Sequence, residues 1–275
     1  MADDLEGRVD TLGAAVAAMG RVVVAFSGGA DSAFLAHVAT GVLGADRVLC
    51  ATAVSPSLAD AELADCRALA AEWGLRWTTV QSAEADDPAY RANNPDRCYV
   101  CKHHLMAALA PLAEHEHATV VLGVNLDDLG DHRPGQQAAA ERGARFPLVE
   151  AGFTKADVRA ASKQAGLRTW DKPAAACLAS RLPYGTPVTV GRLGQVAAAE
   201  AALAALGFGQ LRVRHHGDVA RVEFTEADLP RALDQRGAVV DAVRAAGYRF
   251  VALDLEGFRS GSLNRQLAER PVATP

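Results

Sequence analysis

The sequence predicts an α/β fold: an open parallel sheet with helices on both faces, followed by a small C-terminal α+β unit. Three observations predict it. Short apolar runs rich in β-branched residues alternate with helical stretches of ten or more residues, the pattern of parallel strands joined by crossover helices. The first of these runs, VVVAF (22–26), breaks abruptly into SGGADS (27–32). Beyond residue 188 the alternation changes, and two strand-like runs follow each other across His216-Gly217, a pair suited to a hairpin turn.

The elements follow in order. Leu5, Val9, Leu12 and Val16 recur at spacings of four and three, which predicts an amphipathic helix over 4–18, ended by Gly20. Residues 22–26 read as a buried strand, and a helix follows over 31–42. RVLCATAV (47–54) is a second apolar strand. Helix 59–73, strand 76–80, helix 101–115 and strand 119–124 continue the alternation. Between them, 82–97 is long, polar and without a period, the kind of loop that is functional or disordered. Thr154 with Asp157 three residues on marks a helix start of capping-box type, and Gly166 its end. The second unit reads as helix 190–205, strands 211–215 and 218–224, two short helices and strand 249–255. We therefore place one domain at 1–187 and a second, for substrate binding or oligomerisation, at 188–275.

The totals set outer bounds. Of 275 residues, half are hydrophobic and 22% charged, an ordinary globular composition with enough apolar material for a core. The net charge of −5 argues against a nucleic-acid partner held on a broad basic face. No apolar run approaches the roughly 20 residues that span a bilayer, and the acidic, amphipathic N-terminus is no signal peptide, so a cytoplasmic protein is expected. Cysteines at 50, 66, 98, 101 and 177 then read as buried thiols, metal ligands or catalysts rather than disulfides.

The glycine pair explains the abrupt end of the first strand. Ligands of open parallel sheets bind at the C-terminal strand ends. Gly28 and Gly29 allow close backbone approach, and the next helix directs its N-terminal N–H groups there. Ser27 and Ser32 add hydroxyls, which completes a nest for phosphate. Asp31 would repel phosphate unless Mg²⁺ lies between them. Without a ligand, the same residues are a glycine-rich turn. The stretch lacks the lysine of a Walker loop and the spacing of a dinucleotide fingerprint.

After the strand at 119–124, Asn125, Asp127, Asp128, Asp131 and Arg133 crowd one loop at the same sheet edge. Carboxylates there suit Mg²⁺ and Arg133 suits a phosphate; a solvated acidic loop is the alternative. Cys177 lies among small residues with Arg181 four positions on, a cation that favours the thiolate. A buried structural cysteine is the alternative there.

SGGADS resembles the signature of the PP-loop ATP pyrophosphatases, which cleave ATP to AMP and pyrophosphate. Taken with RCYVCK, GVNLDDLGDHRPG, TWDKPAAACLASRLPYG and LDLEGFRSGSLN, in order along nearly the whole chain, it resembles the LarE family. Those are ATP-dependent sulfur insertases that build the nickel-pincer nucleotide of lactate racemase. The resemblance implies ATP and Mg²⁺ as cofactors, and a pyridinium dicarboxylate mononucleotide as substrate. Its carboxylate would be adenylated and then converted to a thiocarboxylate. Residues Ser27, Gly28, Gly29, Asp31 and Ser32 would hold pyrophosphate, with Asp31 on the metal. Cys177 falls on the family's sulfur-handling cysteine, and Arg212 and Arg214 on its substrate-anion contacts. Those two arginines share one strand face and also fit a solvated edge strand; Glu200 resembles an acidic site residue and also fits an exposed helix position.

Some members of the family sacrifice the single cysteine, leaving dehydroalanine; others hold a [4Fe-4S] cluster on three cysteines. Cys98 and Cys101, with Cys177, make this chain resemble the cluster type. A bare C-x-x-C also fits a redox pair or zinc, for which His103 or His104 offers a fourth ligand. Cys50 and Cys66 read as core. Expected partners are the nucleotide substrate, further copies of the chain and the other enzymes of nickel-pincer synthesis. An ammonia-using amidating synthetase, a tRNA thiolase and a non-catalytic nucleotide sensor are the competing functions.

Overall fold

The computed structural model describes residues 2–130, 134–173 and 175–259. The chain divides into two compact units, one of residues 1–84 and 98–175, the other of 85–97 and 176–275. The division near 175 comes before the boundary read from the sequence at 187, and the polar loop after residue 84 joins the second unit.

In the first unit, helix α1 (Ala2–Met19) leads into strand β1 (Val22–Ala25), helix α2 (Ala30–Leu43) and strand β2 (Val48–Val54). Helix α3 (Asp60–Glu72) and strand β3 (Trp77–Gln81) follow, then in the second unit a single turn, α4 (Pro88–Arg91). Helix α5 (Arg97–Glu116), strand β4 (Thr119–Leu122) and helices α6 (Pro134–Glu141), α7 (Pro147–Glu150) and α8 (Lys155–Gln164) complete this part. Most bounds agree with the sequence pattern within two residues. Helix α5 instead starts four residues early, which puts the C-x-x-C pair inside its first turns.

The four strands run parallel in the order β3-β2-β1-β4. Alternation along β1 sends Val22 and Val24 into one core, with Phe34, Leu35, Leu69, Leu148 and Phe153, and Val23 into another, with Met106, Leu109 and Ala139. Both faces are therefore covered, as a parallel sheet requires. Because β2 lies on one side of β1 and β4 on the other, the loops after β1 and β4 diverge at their C-terminal ends. That fork is the ligand-binding position of an open α/β sheet.

The second unit contains helix α9 (Val190–Ala205), strands β5 (Leu211–His216) and β6 (Val219–Phe224), helices α10 (Leu229–Asp234) and α11 (Arg236–Ala245) and strand β7 (Phe250–Leu253). Strands β5 and β6 form the expected hairpin, turned by Gly217 at φ +65°, and β7 pairs parallel to β6. Leu203, Phe208, Val213, Val222, Phe224 and Val243 form its core. Asn93, at φ +56°, holds the 85–97 segment here: its side-chain amide donates to the carbonyls of Pro183 and Thr186. Asn tolerates that left-handed conformation better than most residues.

Candidate active site

The turn between β1 and α2 is built for close approach. Gly28 has φ +66°, and a Cβ there would meet Cys66 Sγ at 2.9 Å. Gly29 caps α2 without any side-chain hydrogen bond, so no side-chain cap takes up the first N–H groups of the helix. Ser27 and Ser32 face each other across the turn, their hydroxyls 3.0 Å apart, and Ser32 Oγ accepts the Ser27 N–H. The end of β4 presses against this turn: a Cβ on Gly123 would lie 2.6 Å from the Ser32 nitrogen.

Asp31 sits in the first turn of α2, where the helix dipole favours a carboxylate. Buried Asn125, from the loop after β4, donates its side-chain amide to Asp31 Oδ1 at 3.1 Å. Lys155 Nζ donates to Oδ2 of the same carboxylate. Asp127 accepts the Lys155 N–H at 2.8 Å and Asp128 accepts the Asn125 N–H at 3.1 Å, so both carboxylates brace the loop. The structure thus brings Asp31 and Asn125 together as expected and adds Lys155, which no sequence spacing had linked to them. Asp131 and Arg133 lie outside the described residues. A Mg²⁺ ion fits Asp31, whose carboxylate keeps lone pairs beyond its two partners.

A second lysine missed in the sequence, Lys172, donates to the Gly28 carbonyl at 3.2 Å and to Glu62 and Asp65. Burial opposes charge on Lys172, but these two carboxylates prevail and its pKa is raised. The lysine ties α3 to the underside of the glycine turn.

In the second unit Cys177 is exposed and precedes a 3₁₀ turn, Leu178–Arg181. Arg181 is buried, and its guanidinium does not stand free beside the thiol. It forms a two-pronged ion pair with Glu200 at 2.9 Å on both prongs. Its remaining contacts are the carbonyls of Ala176 and Cys177 and the hydroxyl of Ser180. Glu200, read above as an acidic site residue or an exposed helix position, has both oxygens on Arg181, and one also accepts the Val213 N–H. These contacts fix the backbone that carries Cys177.

Arg212 and Arg214 do not form a solvated edge. Arg214 is buried and pairs through two hydrogen bonds with Glu223 on the neighbouring strand. Arg212 lies over the Phe258 ring, and burial together with the Arg181 charge pushes its pKa down to about 10.

Of the five cysteines, Cys98 and Cys177 are exposed and Cys101 is intermediate, while Cys50 and Cys66 are buried. Burial pushes the Cys50 thiol up to about 12 and raises Cys66 as well. His103, considered as a zinc ligand, is hydrogen-bonded to Arg142. Among the described residues no group of three or more His, Cys, Asp or Glu side chains is gathered to hold a metal ion. Cys98 and Cys101 belong to one unit and Cys177 to the other.

Comparison with known proteins settles the family. The NAD synthase family model matches residues 5–119, the part carrying the glycine turn. A pyridinium-3,5-bisthiocarboxylic acid mononucleotide synthase of Lactiplantibacillus plantarum is 41% identical over 96% of both chains. The chain belongs to the LarE family. An uncharacterized protein of Synechocystis is 44% identical over 96% of this chain and all of its own. Another, of Methanocaldococcus jannaschii, is 25% identical over 87% of this chain and 91% of its own. As a LarE-family protein the chain is an ATP-dependent enzyme of sulfur transfer in the PP-loop superfamily. No helix among the described residues is long and apolar enough to cross a membrane.

Proposed function

We propose that this enzyme activates a carboxylate of pyridinium-3,5-dicarboxylate mononucleotide with ATP and converts it to a thiocarboxylate, as the name of the Lactiplantibacillus relative suggests. The observation that carries the ATP half is the start of α2, open of side-chain caps and flanked by Ser27, Ser32 and Asp31. Its N–H groups suit the pyrophosphate portion of ATP. Asp31 would hold Mg²⁺, which shields the phosphate charges; Arg133 and Asp128 belong to the same reading. The substrate carboxylate attacks the α-phosphorus and pyrophosphate leaves. The resulting mixed anhydride has AMP as its leaving group, so a sulfur nucleophile can displace it.

Sulfur is proposed to pass through the three cysteines that are not buried, Cys98, Cys101 and Cys177. If bound by these thiolates, a [4Fe-4S] cluster would supply an iron open to sulfide. A second reading, in which Cys177 gives up its own sulfur, is favoured by its exposed thiol on a turn held through main-chain carbonyls. Its thiolate then forms the C–S bond as the bond to AMP breaks; loss of the Cα proton next cleaves Cβ–S and leaves dehydroalanine. Arg212 is proposed to meet the substrate anion, and homo-oligomer assembly and hand-over to the other nickel-pincer enzymes belong to the same reading.

Anaerobic turnover with ATP and the dicarboxylate nucleotide tests it. Pyrophosphate and a thiocarboxylate should form, and Asp31→Asn should stop pyrophosphate release without unfolding the chain. Intact-mass measurement separates the sulfur routes. A chain lighter by the mass of H₂S supports sacrifice of Cys177, and an unchanged chain with iron and acid-labile sulfide supports the cluster. An amide product, or ATP bound without pyrophosphate release, refutes the function.

A further inference from the structure

Lys155 is the feature of this site that the reading above leaves unused. We propose that it is an exchangeable cation: it neutralises Asp31 while the site is empty and passes to the phosphate chain when Mg²⁺ takes its place on that carboxylate. This rests on the assignment of Asp31 to Mg²⁺.

Four observations carry the inference. First, the ammonium lies on Oδ2 of Asp31, while Oδ1 is held separately by Asn125. A departing lysine therefore leaves the carboxylate oriented. Asn125 itself stays in place because it is buried and its side-chain oxygen accepts the Asp127 N–H.

Second, the backbone of Lys155 is pinned. Thr154 and Asp157 close a capping box around it, Arg8 pairs with Asp157, and Asp127 accepts the Lys155 N–H. The Leu126 N–H donates to the Phe153 carbonyl just before. So the chain fixes where the lysine starts and leaves only its four-carbon stem to move.

Third, the pair is neither deeply buried nor fully solvated, with side-chain exposures of 31% for Lys155 and 18% for Asp31. An ion pair of this kind is weak enough to yield to a divalent ion. Fourth, the partner is only the second residue of α2, directly beyond the open turn proposed to take phosphate. A dication and an ammonium on the same oxygen repel each other, while a displaced ammonium beside a polyphosphate is attracted. The exchange makes and breaks no covalent bond.

The test uses full-length protein and two probes, Mn²⁺ followed by electron paramagnetic resonance and inorganic pyrophosphate with Mg²⁺ followed by calorimetry. Removing the ammonium should affect the two in opposite directions. Lys155→Met should bind Mn²⁺ tighter in the absence of nucleotide, by about threefold to fivefold, the size of a part-exposed ion pair. It should bind magnesium pyrophosphate weaker, by roughly 10- to 100-fold, the size of a lost charge-assisted hydrogen bond. Lys155→Arg should restore much of the pyrophosphate affinity. A lysine that merely supports the fold would weaken both probes together, and that result overturns the exchange, as does unchanged binding of either probe. If Asp31→Asn keeps full affinity for Mn²⁺ and pyrophosphate, the metal assignment fails and the exchange with it. If Asp31→Asn loses affinity while Lys155→Met matches the wild type, only the exchange fails.

Discussion

Gly123→Ala should cripple the enzyme although it adds only one methyl group. The new Cβ would lie 2.6 Å from the Ser32 nitrogen, 2.8 Å from the Asp31 carbonyl carbon and 2.9 Å from the Ser32 Cα. All three are backbone atoms of the first turn of α2, so no side chain can swing away. To reach an ordinary contact of 3.4 Å or more, the end of β4 and the start of α2 must part by most of an ångström. Overpacking of this kind costs about 1–3 kcal/mol. A misplacement near 1 Å costs on the order of 100-fold in rate. Gly41→Ala is the control, because that glycine lies within α2 and its Cβ would meet nothing within 4 Å. It should stabilise by about 0.5–1 kcal/mol through helix propensity. Urea unfolding and ATP-dependent pyrophosphate release measure both variants. If Gly123→Ala unfolds at the wild-type urea concentration and keeps the wild-type rate, the close packing of β4 on the glycine turn does not position the site.

Three further outcomes are expected. Hydrogen bonds from Arg76 and Arg21 depress the Glu116 pKa to about 2, so its stabilisation is present above the unfolded value and is lost as pH falls from about 5 towards 2; Glu116→Gln should be less stable at neutral pH and flatter across that acid range in urea titrations. Glu223→Gln should lower stability by about 3–5 kcal/mol by leaving Arg214 buried without its counter-charge, whereas Arg212→Ala should alter substrate affinity more than stability, which equilibrium unfolding and nucleotide binding distinguish. Iodoacetamide at neutral pH should label Cys98 and Cys177 in the native protein and spare Cys50 and Cys66, as peptide masses will show; labelling of Cys50 before unfolding would contradict its buried, strongly protonated state.

What the sequence disclosed follows from the range of each signal. The β5–β6 hairpin was legible because Gly217 marks its turn and the apolar period flanks it. The Thr154–Asp157 cap was legible because both partners lie within one turn. The tight turn from Ser27 to Ser32 was legible because strand, glycines and helix follow in direct succession. The partners of those groups were not legible. Lys155 meets Asp31 across 124 positions, and Lys172 meets Gly28 across 144. Arg181 looked like a cation for the Cys177 thiol because the two are close in sequence. Glu200, nineteen positions on, claims the guanidinium instead. Segment 85–97 looked like a loop of the first domain because nothing local shows that Asn93 reaches the carbonyls of Pro183 and Thr186.

The way Arg181 grips its surroundings has a consequence for the life of the protein. The contacts that fix the Cys177 turn run through main-chain carbonyls of Ala176 and Cys177 to Arg181 and on to Glu200, and Arg214 adds one from the Ser180 carbonyl. None of them uses the sulfur. The thiol is therefore a detachable fitting on a frame that is complete without it. A chain whose Cys177 has been alkylated, oxidised or stripped of sulfur should persist as a folded protein, invisible to quality control that recognises unfolded chains. Spent and fresh copies would then accumulate side by side, and the abundance of this protein in a cell would overstate its capacity to deliver sulfur.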